Sequence, residues 1–276
     1  MTVSIWGALI ALILAIGLIL RKVAPVYGMM IGALVGGLVG GLPLIETVSL
    51  MVSGAQGIIP AVLRILAAGV LAGVLIESGA AKVIATTIIE KLGNSRALLA
   101  LIFATLLLTT VGVFIDIAVI TVAPIALAIA HQSKISKTAI LVAMVGGGKA
   151  GNIMSPNPNT IAAADAFNLE LTSLMAAGIL PAVVGVIVTF FIARRLTQKG
   201  SFVSAGELSV DEGHSLPPFL ASLAGPLVAI FLLALRPLAE IAIDPLIALP
   251  LGGLVGAILM GRVKEINHFA SNGLAR

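Results

Sequence analysis

A run of polar and helix-breaking residues interrupts the apolar sequence between positions 146 and 160. The segment Gly146-Gly-Gly-Lys-Ala-Gly-Asn-Ile-Met-Ser-Pro-Asn-Pro-Asn-Thr160 holds one lysine, three asparagines, two prolines and four glycines between two strongly apolar stretches. We predict that no continuous helix runs through it. Unwound backbone at membrane depth is tolerated only where it lines a cavity or is buried in protein, and its free amide and carbonyl groups can hold ions and anionic substrates. The segment therefore predicts a transport site.

The composition places the chain in a bilayer. Its 276 residues are 59% hydrophobic and 10% charged, whereas soluble domains are roughly 25% charged. We therefore expect an all-α polytopic membrane protein. The absence of cysteine excludes disulfides, thiolate metal sites and thiol nucleophiles. The three histidines, His131, His214 and His268, lie far apart, so we predict neither a metal site nor a cofactor.

The charges also exclude several function classes. The formal net charge of +4 comes from basic residues scattered singly or in pairs between apolar spans, which indicates positive-inside topology rather than a nucleic-acid partner. The chain has no Gly-x-x-x-x-Gly-Lys-Ser/Thr run, so ATP-driven transport is not expected. Asp116 and Asp165 lack the sequence context of an intramembrane aspartyl protease, and we do not expect an enzyme.

Apolar runs define the expected topology. We predict a short amphipathic helix in the membrane interface over residues 80–92. We predict full spans over residues 5–20, 26–42, 58–76, 174–193, 218–235 and 245–260. With this assignment most basic residues fall on one side, and we expect Arg21, Lys91, Lys134 and Arg194 to face the cytoplasm.

Residues 97–131 predict a re-entrant hairpin. Two apolar arms meet at Phe114-Ile115-Asp116. The second arm, residues 117–130, is about 14 residues or roughly 21 Å of helix, which is short for a bilayer core of about 30 Å. A discontinuous helix over residues 138–167 is expected to follow the hairpin.

A short internal repeat indicates how the chain is organised. The segment 32–46, followed by Val52-Ser-Gly-Ala-Gln-Gly57, is similar to the segment 249–262, followed by Glu265 and Ala270-Ser-Asn-Gly273. Counting the discontinuous helix, the second copy lies five predicted crossings after the first, so the two copies are inverted, as in alternating-access transporters. We predict a first transmembrane repeat over residues 1–198, a cytoplasmic linker over 199–217 and the start of an incomplete second repeat over 218–276. On this basis the 276 residues alone should insert into a membrane without transporting.

These features resemble a known family. The order of three spans, interfacial helix, polar-tipped hairpin and a helix broken at Ser155-Pro-Asn-Pro-Asn-Thr-Ile-Ala-Ala163 is similar to the gluconate permease (GntP) family of proton symporters. The resemblance covers essentially the whole chain. It implies proton-coupled uptake of gluconate or a related small hydroxy or sugar acid across a bacterial inner membrane, and it allows a homo-oligomer.

The residues themselves indicate where such a substrate would bind. Lys149 offers a cation for a carboxylate, and a charge within a span is costly enough to need a reason. The alternative is that Lys149 reaches the interface or pairs with Asp116. Polar side chains around the break could hydrogen-bond substrate hydroxyls, or else cap helices; they are Asn152, Ser155, Asn157, Asn159 and Thr160.

Asp116 is the predicted proton-coupling residue. A carboxyl group buried at a hairpin tip should have its pKa raised by desolvation, so that it exchanges protons near neutral pH. A structural hydrogen bond to the break is the competing interpretation. We expect Asp165 to be solvated or to cap a helix, and Arg64 to lie at the interface. A passive channel or a non-transporting half-module remains the alternative to a carrier.

Overall fold

The computed structural model describes residues 3–93, 96–204 and 216–275. In these ranges the chain is helical and contains no β-strand. The helices are α1 Ile5–Leu20, α2 Pro25–Val39, α3 Leu44–Glu77, α4 Ala80–Leu92, α5 Ala97–Thr110, α6 Ile115–Ser133, α7 Lys137–Ile153, α8 Pro158–Ala166, α9 Leu171–Ala177, α10 Ile179–Leu196, α11 Phe219–Ala239, α12 Pro245–Leu259 and α13 Ile266–Leu274. A 3₁₀ turn, Val263–Glu265, joins α12 to α13.

Several helices are suited to a bilayer. Four segments are long and apolar enough to cross a membrane: Leu44–Glu77, Ile115–Ser133, Leu171–Leu196 and Phe219–Arg236. Shorter apolar helices accompany them, among them α1, α2, α5 and α12. The chain is thus an integral membrane protein, helical throughout its described regular structure, as its composition predicts.

Contacts divide the chain into two units, Met1–Pro60 and Ala61–Arg276. In the first unit α1 and α2 form an antiparallel pair in which small residues let the backbones approach closely. A Cβ added at Gly36 would lie 2.6 Å from the carbonyl oxygen of Gly7, and one at Gly32 would lie 2.6 Å from that of Ala11. The glycines of α2 are therefore fixed by packing. The third predicted span begins earlier than expected, because α3 starts at Leu44.

The second unit is built around α5. Its alanines and leucines are buried among the neighbouring helices, with Ala100, Leu101, Ala104 and Leu108 fully inaccessible. Helix α4 has the predicted bounds, and its apolar face, including Ile84 and Ala85, is part of the same core. The predicted linker falls largely on residues 205–215, which lie outside the described ranges.

The α5–α6 hairpin differs from the expectation in its second arm. Helix α6 runs for 19 residues, Ile115–Ser133, rather than the 14 of the apolar run. Asp116 lies in its first turn, and His131, Gln132 and Ser133 extend its other end. Polar residues are compatible with helix termini, where they meet unpaired backbone groups, so the apolar run underestimates the length of the helix.

No continuous helix runs through residues 146–160, as predicted, but the break is shorter than the glycine-rich segment indicates. Helix α7 continues through Gly146, Gly147, Gly148 and Gly151 to Ile153. The physical reason is packing against α5: a Cβ at Gly147 would lie 2.6 Å from Thr105 Oγ1 and would also overlap the Ile102 carbonyl. Glycine in a helix costs only about 1 kcal/mol per residue relative to alanine. The packing of α7 against α5 outweighs this cost.

Candidate functional site

The helix break is confined to residues 154–157 and is held by Asn157. The side chain of Asn157 is 1% exposed. Its Oδ1 accepts a hydrogen bond from the Asn159 amide at 2.8 Å, which caps α8. Its Nδ2 lies 2.9 Å from both Ser155 Oγ and Thr160 Oγ1, and it also contacts the Asn152 carbonyl at the end of α7. One asparagine thus joins both sides of the break.

A cavity of about 450 Å³ lies beside this break. Its wall comes from the second half of α3, the hairpin tip, the break and the end of α13. The lining residues are Ile65, Leu66, Gly69, Phe114, Ile115, Asp116, Asn152, Asn157, Pro158, Asn159, Gly273 and Leu274. The size suits a small organic molecule.

Two helix N-termini meet at the cavity. Helix α6 begins at Ile115 and α8 begins at Pro158, and both residues line the wall. Phe114, the N-cap of α6, makes no side-chain cap hydrogen bond, so first-turn amides of α6 lack that partner. Helix N-termini carry partial positive charge and favour anions. Both N-termini therefore place partial positive charge at the cavity, although Asn157 already caps the Asn159 and Thr160 amides of α8.

The hairpin tip reaches the break because of local packing. A Cβ at Gly148 would lie 2.8 Å from Ile115 Cγ1, and Gly151 is in contact with Thr109 near the end of α5. Only glycine allows α7 to approach both arms of the hairpin this closely. The glycine-rich approach thus positions the tip and the break at one cavity.

Asp116 lines the cavity, but its environment differs from the prediction. The prediction of proton coupling assumed a buried carboxyl group, but Asp116 is exposed. No hydrogen bond to the break involves its carboxylate among the described contacts. Asp116 lies in the first turn of α6, a position at which acidic residues are common in helices.

The predicted substrate-binding residues fall into three groups. Asn152, Asn157 and Asn159 line the cavity. Ser155 and Thr160 are buried behind it, and both hydroxyls contact the Asn152 carbonyl. Lys149 lies outside the lining, exposed on α7, and no ion pair joins it to Asp116 among the described residues.

A charge cluster that the sequence did not predict lies at the other end of α8. Arg64 of α3 donates from Nη1 to Asp165 and from Nη2 to Asp244 Oδ2 at 2.7 Å. Its Nε lies 3.2 Å from both Asp244 oxygens. Beside it, Arg236 Nη2 pairs with Glu170 Oε1 at 2.7 Å. All five of these residues line a second cavity of about 100 Å³.

The expectation for Asp165 is thus corrected, because Asp165 is ion-paired rather than solvated or capping. Arg64 binds two carboxylates, and its position at the membrane interface stays a prediction. The hydrogen bond from Arg64 holds the pKa of Asp244, in the turn before α12, below its ordinary value. The sequence signal for this charge cluster was Arg64, a single arginine within an apolar run, since intramembrane charges are rare and usually paired.

The family comparison agrees with this architecture. The family model described as GntP family permease matches residues 1–254. The chain belongs to the GntP permease family. It is 66% identical over 275 residues to an uncharacterized transporter of Haemophilus influenzae. It is 27% identical over 244 residues to a gluconate permease of Pseudomonas aeruginosa, and 27% identical over 178 residues to a high-affinity gluconate transporter of Escherichia coli.

These GntP relatives are longer than the chain. The three alignments cover 100%, 85% and 62% of this chain, in the same order. They cover 66%, 54% and 39% of the respective relatives. No solved structure matches. The family consists of permeases rather than enzymes, which agrees with the expectation drawn from the sequence.

Proposed function

We propose that the protein is a secondary active transporter that takes up gluconate, or a related small hydroxy or sugar acid, together with protons across the bacterial inner membrane. The observation that carries this proposal is the cavity at which the N-termini of α6 and α8 meet beside Asp116 and three asparagines. The names of the gluconate-transporting relatives support the substrate class.

The cavity chemistry favours a hydroxylated anion. The two helix N-termini stabilise a carboxylate by their dipoles. The exposed side chain of Asn159 and the edge of Asn152 can donate to and accept from hydroxyl groups. We propose that Ser155, Asn157 and Thr160 complete the binding site by fixing the break. Competition of uptake by hydroxy acids but not by neutral polyols of the same length would test the carboxylate requirement.

Asp116 offers a simple mechanism for proton coupling. When ionised, it places a negative charge in the cavity that would receive the substrate carboxylate, and like charges there repel. A proton on Asp116 removes this repulsion and leaves the helix dipoles available to the substrate. Proton and substrate would therefore bind cooperatively, which is the requirement for symport.

Lys149 has a more distant role in this proposal. It lies one turn before Asn152 on α7 and does not line the cavity. Its positive charge would raise the local electrostatic potential for an anion without direct contact. Such a contribution is weakened by salt, which distinguishes it from a direct ion pair.

An internal repeat is a further part of the proposal. Antiparallel pairs α1–α2 and α11–α12 pack through the same small residues: a Cβ at Gly36 would lie 2.6 Å from the Gly7 carbonyl, and one at Gly252 would lie 2.6 Å from the Gly225 carbonyl. Pro25, Gly32, Gly36 and Gly41 recur at the same spacing as Pro245, Gly252, Gly256 and Gly261. This similarity supports two repeats; their inversion, and the predicted boundaries 1–198, 199–217 and 218–276, remain predictions from the sequence.

Counterflow separates a carrier from the alternatives. Vesicles containing the full-length protein and preloaded with unlabelled gluconate should transiently accumulate labelled gluconate. A passive channel would equilibrate the label without accumulation, and a non-transporting half-module would show no uptake. Either result would refute the proposed function.

A further inference from the structure

Helix α8 is anchored at both ends, and its two anchors serve different cavities. At its N-terminus Asn157 caps the helix beside the substrate cavity. Near its C-terminus Asp165 pairs with Arg64 beside the smaller cavity. The helix has nine residues, or about 14 Å. The flanking segments are non-helical at 154–157 and 167–170, so these two anchors and its buried face fix its position.

The Arg64 cluster has one firm contact and one weaker contact. Arg64 and Asp244 share three hydrogen bonds, and Asp244 also accepts from the Leu246 amide at 2.9 Å to cap α12. Asp165 accepts one hydrogen bond from Arg64 through Oδ1, while its Oδ2 is buried without a hydrogen-bond partner among the described residues. Asp244 therefore holds Arg64 in place, and the link to Asp165 is the one more easily broken.

The neighbouring charges do not replace this link. Glu170 and Arg236 line the same small cavity, but they pair with each other at 2.7 Å. The trio of Arg64, Asp165 and Asp244 has one positive and two negative groups. If the link to Asp165 breaks, Arg64 keeps a full counter-charge in Asp244, whereas the Asp165 carboxylate loses its ion pair and has to reach solvent as α8 moves.

We propose that Arg64 is a positioning residue for the substrate cavity and acts through Asp165 as a releasable latch on α8. This inference rests on the proposed function, because it takes the cavity beside the N-terminus of α8 to be the substrate-binding site. With the latch closed, the N-terminus of α8 and Asn159 face the cavity in a fixed position. With the latch open, α8 can tilt about the break and withdraw that wall from the substrate.

Substitution of Asp165 tests the latch without disturbing the Arg64–Asp244 pair. In the full-length protein, Asp165→Asn should raise the KM for gluconate exchange by about fivefold, the magnitude of one partly exposed ion pair, with a smaller change in the maximal rate. Asp165→Glu should restore the wild-type KM. Glu170→Gln is the matched control, because it removes a carboxylate from the same cavity that does not contact Arg64, and should leave the KM within about twofold.

A second readout needs no transport. The 276 residues contain no cysteine, so a cysteine placed at Asn159 reports on the position of α8. Its reaction rate with a membrane-impermeant maleimide should rise when Asp165→Asn is added, and should be unchanged by Glu170→Gln. An unchanged KM together with an unchanged labelling rate in Asp165→Asn overturns the latch. Absence of saturable exchange in the wild type would instead refute the proposed function. The labelling rate would still show whether Asp165 holds α8 in position.

Discussion

Asn157 Nδ2 lies 2.9 Å from the hydroxyl oxygen of Thr160, and both residues are buried, at 1% and 7% exposure. This contact links the break to the first turn of α8. The same amide contacts the Asn152 carbonyl at the end of α7. In this structure the helix break is therefore a hydrogen-bonded connection that forms part of the cavity wall.

Asn157→Ala should destabilise the protein and abolish uptake. It removes the α8 cap, which is worth about 1 to 2 kcal/mol, and leaves the Asn152 carbonyl with fewer donors. Asn159→Ala is the matched control, because the Asn159 side chain is exposed and its loss should change stability by less than about 0.5 kcal/mol. Melting temperatures in detergent should separate the two variants. Equal melting temperatures would contradict the assigned role of Asn157.

Gly151→Ala should destabilise the α5–α7 contact by about 1 to 3 kcal/mol, as overpacking does in a tight core. An added Cβ there would overlap the Leu106 carbonyl and would lie 2.9 Å from Thr110 Oγ1. Gly17→Ala in α1 is the control: nothing lies within 4 Å of its Cβ position, and alanine is the better helix former. A Gly151→Ala variant as stable as Gly17→Ala would refute close packing at this site.

The sequence indicates the position of the cavity better than it indicates the contacts around it. The break and the hairpin tip could be found because prolines, asparagines and an aspartate are conspicuous in apolar sequence. The continuation of α7 through Gly147 and Gly151 could not, because it depends on the partner helix α5. Likewise, the Arg64 cluster joins residues about a hundred or more positions apart, and no local pattern reports such a contact.

The role of Lys149 required the structure for a similar reason. Its position in the polar segment indicates a direct substrate contact, but Lys149 is not among the residues that line the cavity. Lys149→Ala should raise the KM for gluconate about fivefold at low ionic strength, and the difference should shrink in high salt because exposed charges are screened. Lys264→Ala serves as a control for the loss of a distant charge. A KM unchanged at low salt would remove Lys149 from the site.

The contribution of Asp244 to the stability of the folded protein should be present at pH 7 and pH 5 and should be lost at lower pH. Because Arg64 lowers the pKa of Asp244 in the folded state, the contribution is present above the unfolded pKa of about 3.9 and is lost as the pH falls through the lower folded value. Asp244→Asn should therefore lower the melting temperature at pH 7 and at pH 5, and the difference from the wild type should narrow below about pH 4. A difference that narrows between pH 7 and pH 5 would contradict this assignment.

Proton coupling through Asp116 is the central claim, and transport by Asp116→Asn tests it most directly. The full-length wild type and the variant are reconstituted, and labelled gluconate uptake is measured by counterflow and under an imposed pH gradient. We expect the variant to keep counterflow, because asparagine preserves a polar cavity wall, and to lose accumulation driven by the gradient, because no titratable group remains there. Accumulation in the variant that equals the wild type under the same gradient would contradict the claim.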